Sequence, residues 1–78
     1  MPSGFRFNTA RGPFFILYNQ RTGKWEIHHD NDCLDSYPTP QTAAEDLAGG
    51  YCTWPASGDP SSLGISEDLS DWEPLTAR

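Results

Sequence analysis

The sequence predicts a small α+β fold: a three-stranded antiparallel β-meander with one short α-helix packed on it and an irregular C-terminal segment ending in a short helical turn. Two adjoining strand signals and one helix signal support this. Phe14-Phe15-Ile16-Leu17-Tyr18 is an apolar run of strand length, and Lys24-Trp25-Glu26-Ile27-His28-His29 alternates with period two after the turn Gln20-Arg21-Thr22-Gly23. Pro38-Thr39-Pro40 then stops the extended chain and opens a stretch with helical spacing.

The hairpin organises the rest. A register that pairs Tyr18 with Trp25 sets Ile16 opposite Ile27 and Phe14 opposite His29, gathering these six side chains on one face as the expected core. The other face carries Phe15 and Leu17 beside Lys24, Glu26 and His28. The first strand is therefore apolar on both sides, which a sheet covered on one face does not require. Either the C-terminal segment or a partner is expected to cover Phe15 and Leu17.

Residues 1–11 read as a flexible lead-in or an edge strand, because Phe5 and Phe7 alternate with Arg6. Asp30-Asn31-Asp32 forms a second turn, since Asn and Asp tolerate the left-handed backbone of tight hairpins, and residues 33–37 return as the third strand. In the helix, Thr39 suits the N-cap and Pro40 the first position. Ala43, Ala44, Leu47, Ala48 and Tyr51 recur at helical spacing, and Gly49-Gly50 ends the element. Residues 12–51 thus form the core unit.

Residues 52–78 belong to the same domain as a wrap. A Pro-, Gly- and Ser-rich loop is followed by a helical turn capped by Ser66, with Ile65, Leu69 and Trp72 on one side. Trp54, Leu63, Ile65, Leu69 and Trp72 are too many large apolar side chains for a disordered tail, so the wrap is expected to be ordered and to lie over Phe15 and Leu17.

Charge divides the chain. Up to His29 four basic residues face one acid; from Asp30 onward ten acids face Arg78 alone, and the net charge is −6. This acidity argues against direct nucleic-acid binding and against attraction to anionic membranes. No apolar run is long enough to span a bilayer and no export signal is present, so a cytoplasmic location is expected. Cys33 and Cys52 then read as free thiols.

In topology, a meander followed by a helix resembles the small sheets of plant-type and integrase-type DNA-binding domains. The resemblance covers the strand and helix segments only and carries no shared motif. It implies a sheet face that reads DNA through basic and aromatic side chains. Here that face offers Lys24 alone beside Glu26, His28 and Asp35, which does not fit DNA reading.

The spacing of His28, His29, Asp30, Asp32, Cys33 and Cys52 forms no metal motif, because adjacent strand residues point to opposite faces. The arrangement a sheet would allow is His28 with Asp35 and a cysteine across the strands. Glu67, Asp68, Asp71 and Glu73 read as a solvated charged turn, the serines lack a nucleophile turn, and Gly49-Gly50 ends a helix where a phosphate site would begin one. The chain is therefore read as non-catalytic and without a cofactor.

The expected function is a small acidic protein-interaction module with a protein partner. Its candidate contact residues are Phe15, Leu17, Tyr37, Trp54 and Trp72. Two alternatives stand beside it. One is an acidic inhibitor or nucleic-acid mimic that blocks a basic groove; the other is a homodimer joined through strand 12–18 or strand 33–37, read as the sheet's edges.

Overall fold

The computed structural model describes residues 3–55 and 58–75. The first two residues of the expected lead-in, two loop residues at 56–57 and the last three of the expected wrap lie outside this range. The elements run β1 (Gly4–Thr9), β2 (Gly12–Asn19), β3 (Lys24–His29), β4 (Asp32–Tyr37), α1 (Pro40–Gly49) and β5 (Glu73–Leu75), with 3-10 turns at Pro60–Leu63 and Leu69–Asp71.

The class is α+β, but the sheet has five strands in the order β4-β3-β2-β1-β5, all neighbours antiparallel, and not the three expected. Residues 4–9 are a full strand lying between β2 and β5. Phe5 faces Ile16 and Phe7 faces Phe14, so the alternation around Arg6 that hinted at a strand delivers both rings to the core side. β5 adds the fifth strand by pairing Leu75 with Gly4 and Glu73 with Arg6. It contains Pro74, which an edge strand tolerates because its outer N–H needs no partner. β2 is consequently interior, so the expected dimer through strand 12–18 has no free edge to use. The outer strands are β4 and β5.

The central register is as the alternation requires: Ile16 opposite Ile27 and Tyr18 opposite Trp25. Phe14 and His29 stack with ring centroids 3.9 Å apart and planes 5° from parallel. The β3–β4 turn places Asp30 and Asn31 at φ 50° and 66°, the left-handed pair a two-residue hairpin needs.

In α1, the Thr39 side chain accepts from the Thr42 amide, Pro40 opens the first turn, and Gly50 at φ 76° stops the helix while its N–H reaches back to the carbonyls of Asp46 and Leu47. Tyr51 lies past that stop and is 80% exposed, so it is not part of the helix face. The face is Ala43, Ala44 and Leu47, all fully buried. The small alanines let the helix approach the sheet closely, and Leu47 is the one large anchor.

The wrap is ordered where described, but it covers the opposite face from the one expected. Ile65 and Trp72 join Phe14, Ile16, Ile27, Leu34 and the helix alanines in one core, and Trp72 lies 5.3 Å from the ring of Phe7. The indole N–H of Trp72 donates to the Ser66 carbonyl, 2.9 Å away. The final turn is capped by Asp68, whose carboxylate accepts from the Ser70 amide; Ser66 instead accepts from the Asp68 amide one step earlier. Helix, 3-10 turns and Trp72 thus form one layer and the sheet the other. Among the described residues no helix is long and apolar enough to cross a membrane.

Candidate functional site

Because β-strand side chains alternate, burial of Phe14, Ile16 and Ile27 beneath the helix turns Phe15, Leu17, Glu26 and His28 to the uncovered face. Phe15 sits between Arg6 and His28 in the register, and Leu17 between Gly4 and Glu26. All four strand residues are half-buried by one another. Gly4 explains how Leu17 lies down on this face, since a Cβ at Gly4 would come within 2.7 Å of Leu17 Cδ2. Two shallow depressions, one towards the Asn19–Arg21 turn and one towards Asp30 and Asn31, adjoin at Leu17 and His28.

A polar constellation occupies the β3–β4 side of this face. Asn19 Nδ2 donates to Glu26 Oε2 at 3.0 Å, and Glu26 Oε1 lies 3.0 Å from His28 Nε2. Cys33 faces His28 across the strands. One ligand atom each from Glu26, His28 and Cys33 falls within 4.8 Å of the others.

The position of Cys33 comes from a β-bulge. Pairs up to Ile27–Asp35 follow one register, then the register shifts between Ile27 and His28 so that His28 meets Cys33. Continued without the shift, the ladder would set Leu34 opposite His28 on the open face and turn Cys33 to the helix side. The bulge instead sinks Leu34, 8% exposed, into the core and presents Cys33 beside His28. Asp35, opposite Ile27 in the unshifted part of the ladder, lies on the helix side, where its carboxylate receives the Tyr37 hydroxyl at 3.4 Å. The grouping a regular sheet would allow, His28 with Asp35 and a cysteine, is therefore not formed; His28 lies instead with Glu26 and Cys33.

The electrostatics follow from these neighbours. The hydrogen bonds from Asn19 and His28 hold the Glu26 carboxyl below its ordinary value, against a smaller opposing effect of burial. Burial first, and then the charges of Glu26 and Asp35, push the Cys33 thiol up. Such a thiol is a poor nucleophile, because the reactive species is the thiolate. The trio offers oxygen, nitrogen and sulfur donors.

The five residues expected to form one contact surface are not brought together. Phe15 and Leu17 share the open face. Tyr37 is 9% and Trp72 3% exposed, so both are core residues, buried by the helix and wrap layer. Trp54 is 55% exposed at the far end of α1, where its indole N–H donates to the Gly50 carbonyl, 2.9 Å away. The sequence points to His28 and a cysteine across the strands but not to Glu26; the i, i+2 spacing of Glu26 and His28 is visible in it, but the bulge that sets Cys33 beside them is not. No protein-family model matches the chain, and no curated protein or solved structure matches it either.

Proposed function

We propose that the protein is a small, non-catalytic interaction module that docks a folded protein partner on the open face of its sheet, with Phe15 and Leu17 at the centre of the contact. One observation carries this reading: every covering element among the described residues packs on the opposite face, and two large apolar side chains stay half-buried on a face that none of those residues covers. Arg6, Lys24, Glu26 and His28 surround them, a mixed polar rim of the kind that frames apolar contact centres. The free thiols Cys33 and Cys52 suit a reducing compartment, which supports a cytoplasmic location.

The acidic-inhibitor reading draws on the other side of the molecule. Gln41 Nε2 reaches both Glu45 Oε2, at 3.2 Å, and the Glu67 carbonyl, at 2.8 Å, and so brings the acids of α1 next to those of 67–71. The two readings therefore use different surfaces and can be separated by position.

A photo-crosslinking side chain placed at Phe15 and, in a second preparation, at Glu45 makes that test in lysate of the protein's own cells. Adducts with one protein from position 15, retained at high salt and lost in Leu17→Ala, support the module. Adducts from position 45 alone, released by salt and by competing nucleic acid, move the acidic reading to first place. Adducts from neither position overturn both. Crosslinks between two copies through the β4 edge, with doubled mass in solution, make the protein a homodimer instead.

A further inference from the structure

We propose that Glu26, His28 and Cys33 form a zinc-binding site on the open face of the sheet. The inference does not rest on the docking reading, because it follows from three side chains and the backbone that aims them.

Glu26 and His28 are two residues apart on β3 and so project from the same face. Cys33 lies directly across from His28 on β4, where facing side chains start about 4.5–5.5 Å apart at Cβ. Their donor atoms already lie within 4.8 Å of one another, and the His28–Glu26 pair is at 3.0 Å. Zinc bonds of about 2.0–2.3 Å in a tetrahedron set ligand atoms roughly 3.3–3.7 Å apart. The cage therefore closes by a movement on the order of 1 Å, within reach of the Cys33 side chain, which is exposed and bonded only weakly to the Asp35 carbonyl at 3.9 Å.

Two further features point to a ligand. Metal-binding carboxylates are characteristically held by an outer hydrogen bond, and Asn19 Nδ2 supplies one to Glu26 Oε2, leaving Oε1 turned towards His28. The bulge is the second. It is the device that turns Cys33 to this face, and bulges are known for re-aiming a side chain beside functional sites.

The donor set selects the ion. A thiolate with an imidazole and a single carboxylate suits zinc and not magnesium or calcium, which take cages of oxygen. Three protein donors leave the fourth tetrahedral position to water. Binding replaces the Cys33 S–H bond with an S–Zn bond and releases the proton to solvent.

The test uses the full chain, metal-free and reduced, titrated with Zn²⁺ by calorimetry and with Co²⁺ by absorbance. The expected result is one ion per chain and a thiolate-to-cobalt band that zinc abolishes. Cys33→Ser removes the band, and Cys33→Ser or His28→Ala weakens zinc binding by at least the ~10–100-fold that loss of a supporting group costs; Asn19→Ala weakens it about 10-fold. Cys52→Ser leaves the band unchanged. Absence of a thiolate band in the unmodified protein overturns the site, as does a band that survives in Cys33→Ser. Should Cys33→Ser fail to fold, alkylating the exposed Cys33 of the native protein gives the same reading without a mutation.

Discussion

Phe14 and Phe15 are adjacent, chemically identical and in the same strand, yet Phe14 is fully buried against His29 and the helix layer while Phe15 stays half-buried between Arg6 and His28. The same contrast runs through β2 and β3. The helix-side face is closed by Ala43, Ala44, Leu47, Ile65 and Trp72; the other face is closed by none of the described residues. Apolar character in a strand thus marks two different fates, and only the position of the covering layer decides which residue is core and which is surface.

The contrast can be broken most directly by truncation. Phe14→Ala is expected to cost about 3–5 kcal/mol, since a fully buried ring leaves a cavity. Against the roughly 4–12 kcal/mol available to a chain of this length, that removes at least about a quarter of the stability, and urea unfolding measures it.

Stability is expected to depend on pH at both the alkaline and the acid end. On the helix side, burial pushes the Cys52 thiol up from 9.0 to about 11. Tyr37 is raised as well, by burial first and then by Asp35 and Asp46. These groups favour the folded state in their protonated forms, so their stabilisation is whole below pH 9 and is lost as pH rises beyond it. For Cys52 the loss is on the order of 2 kcal/mol between pH 9 and 11, and Cys52→Ala should flatten that part of a thermal-melt profile. Glu26 has the opposite sign. It is held below 4.5, so its contribution is present above that pH and fades as pH falls through its folded value; Glu26→Gln should remove that share of the acid limb.

Phe15→Ala is expected to cost about 1 kcal/mol or less, as a partly exposed side chain leaves no sealed cavity. A loss as large as that of Phe14→Ala would mean that the open face is core and would end the docking proposal. The gentlest probe leaves the fold untouched: in native protein a thiol reagent should modify exposed Cys33 well before buried Cys52, and mass spectrometry of the peptides reads the order. Equal rates would show that the helix layer opens readily.

How much of this was legible in the sequence depended on whether the signal was local. The Ile16–Ile27 register followed from period-two alternation, and α1 followed from Thr39, Pro40 and Gly50, each of which acts on its immediate neighbours. β1 was half legible, because Phe5 and Phe7 alternate but Asn8 and Thr9 lead into a turn without a strong signal. β5 was not legible at all: Glu73-Pro74-Leu75 is extended only because β1 offers it an edge. Nor does any residue of the wrap encode which face of the sheet it will meet. Ile65 and Trp72 follow the chain leaving α1, and the loop through Pro60 keeps them on the helix's own side. The grouping was half legible, since alternation allows His28 a cysteine across the strands, but one extra residue, Leu34, breaks the alternation of β4, so Cys33 and Asp35, which regular alternation would set on one face, fall on opposite faces.

The pairing of Gly4 with Leu75 also has a kinetic meaning. It joins residues almost the whole described length apart, and closing so long a loop costs entropy that three residue pairs repay poorly. The local hairpins through β2, β3 and β4 need no such closure and are expected to assemble first. Until residues 73–75 arrive, β1 presents a bare edge carrying Phe5 and Phe7. During that interval a second chain could take the seat of β5, making concentration while folding the main hazard for this protein.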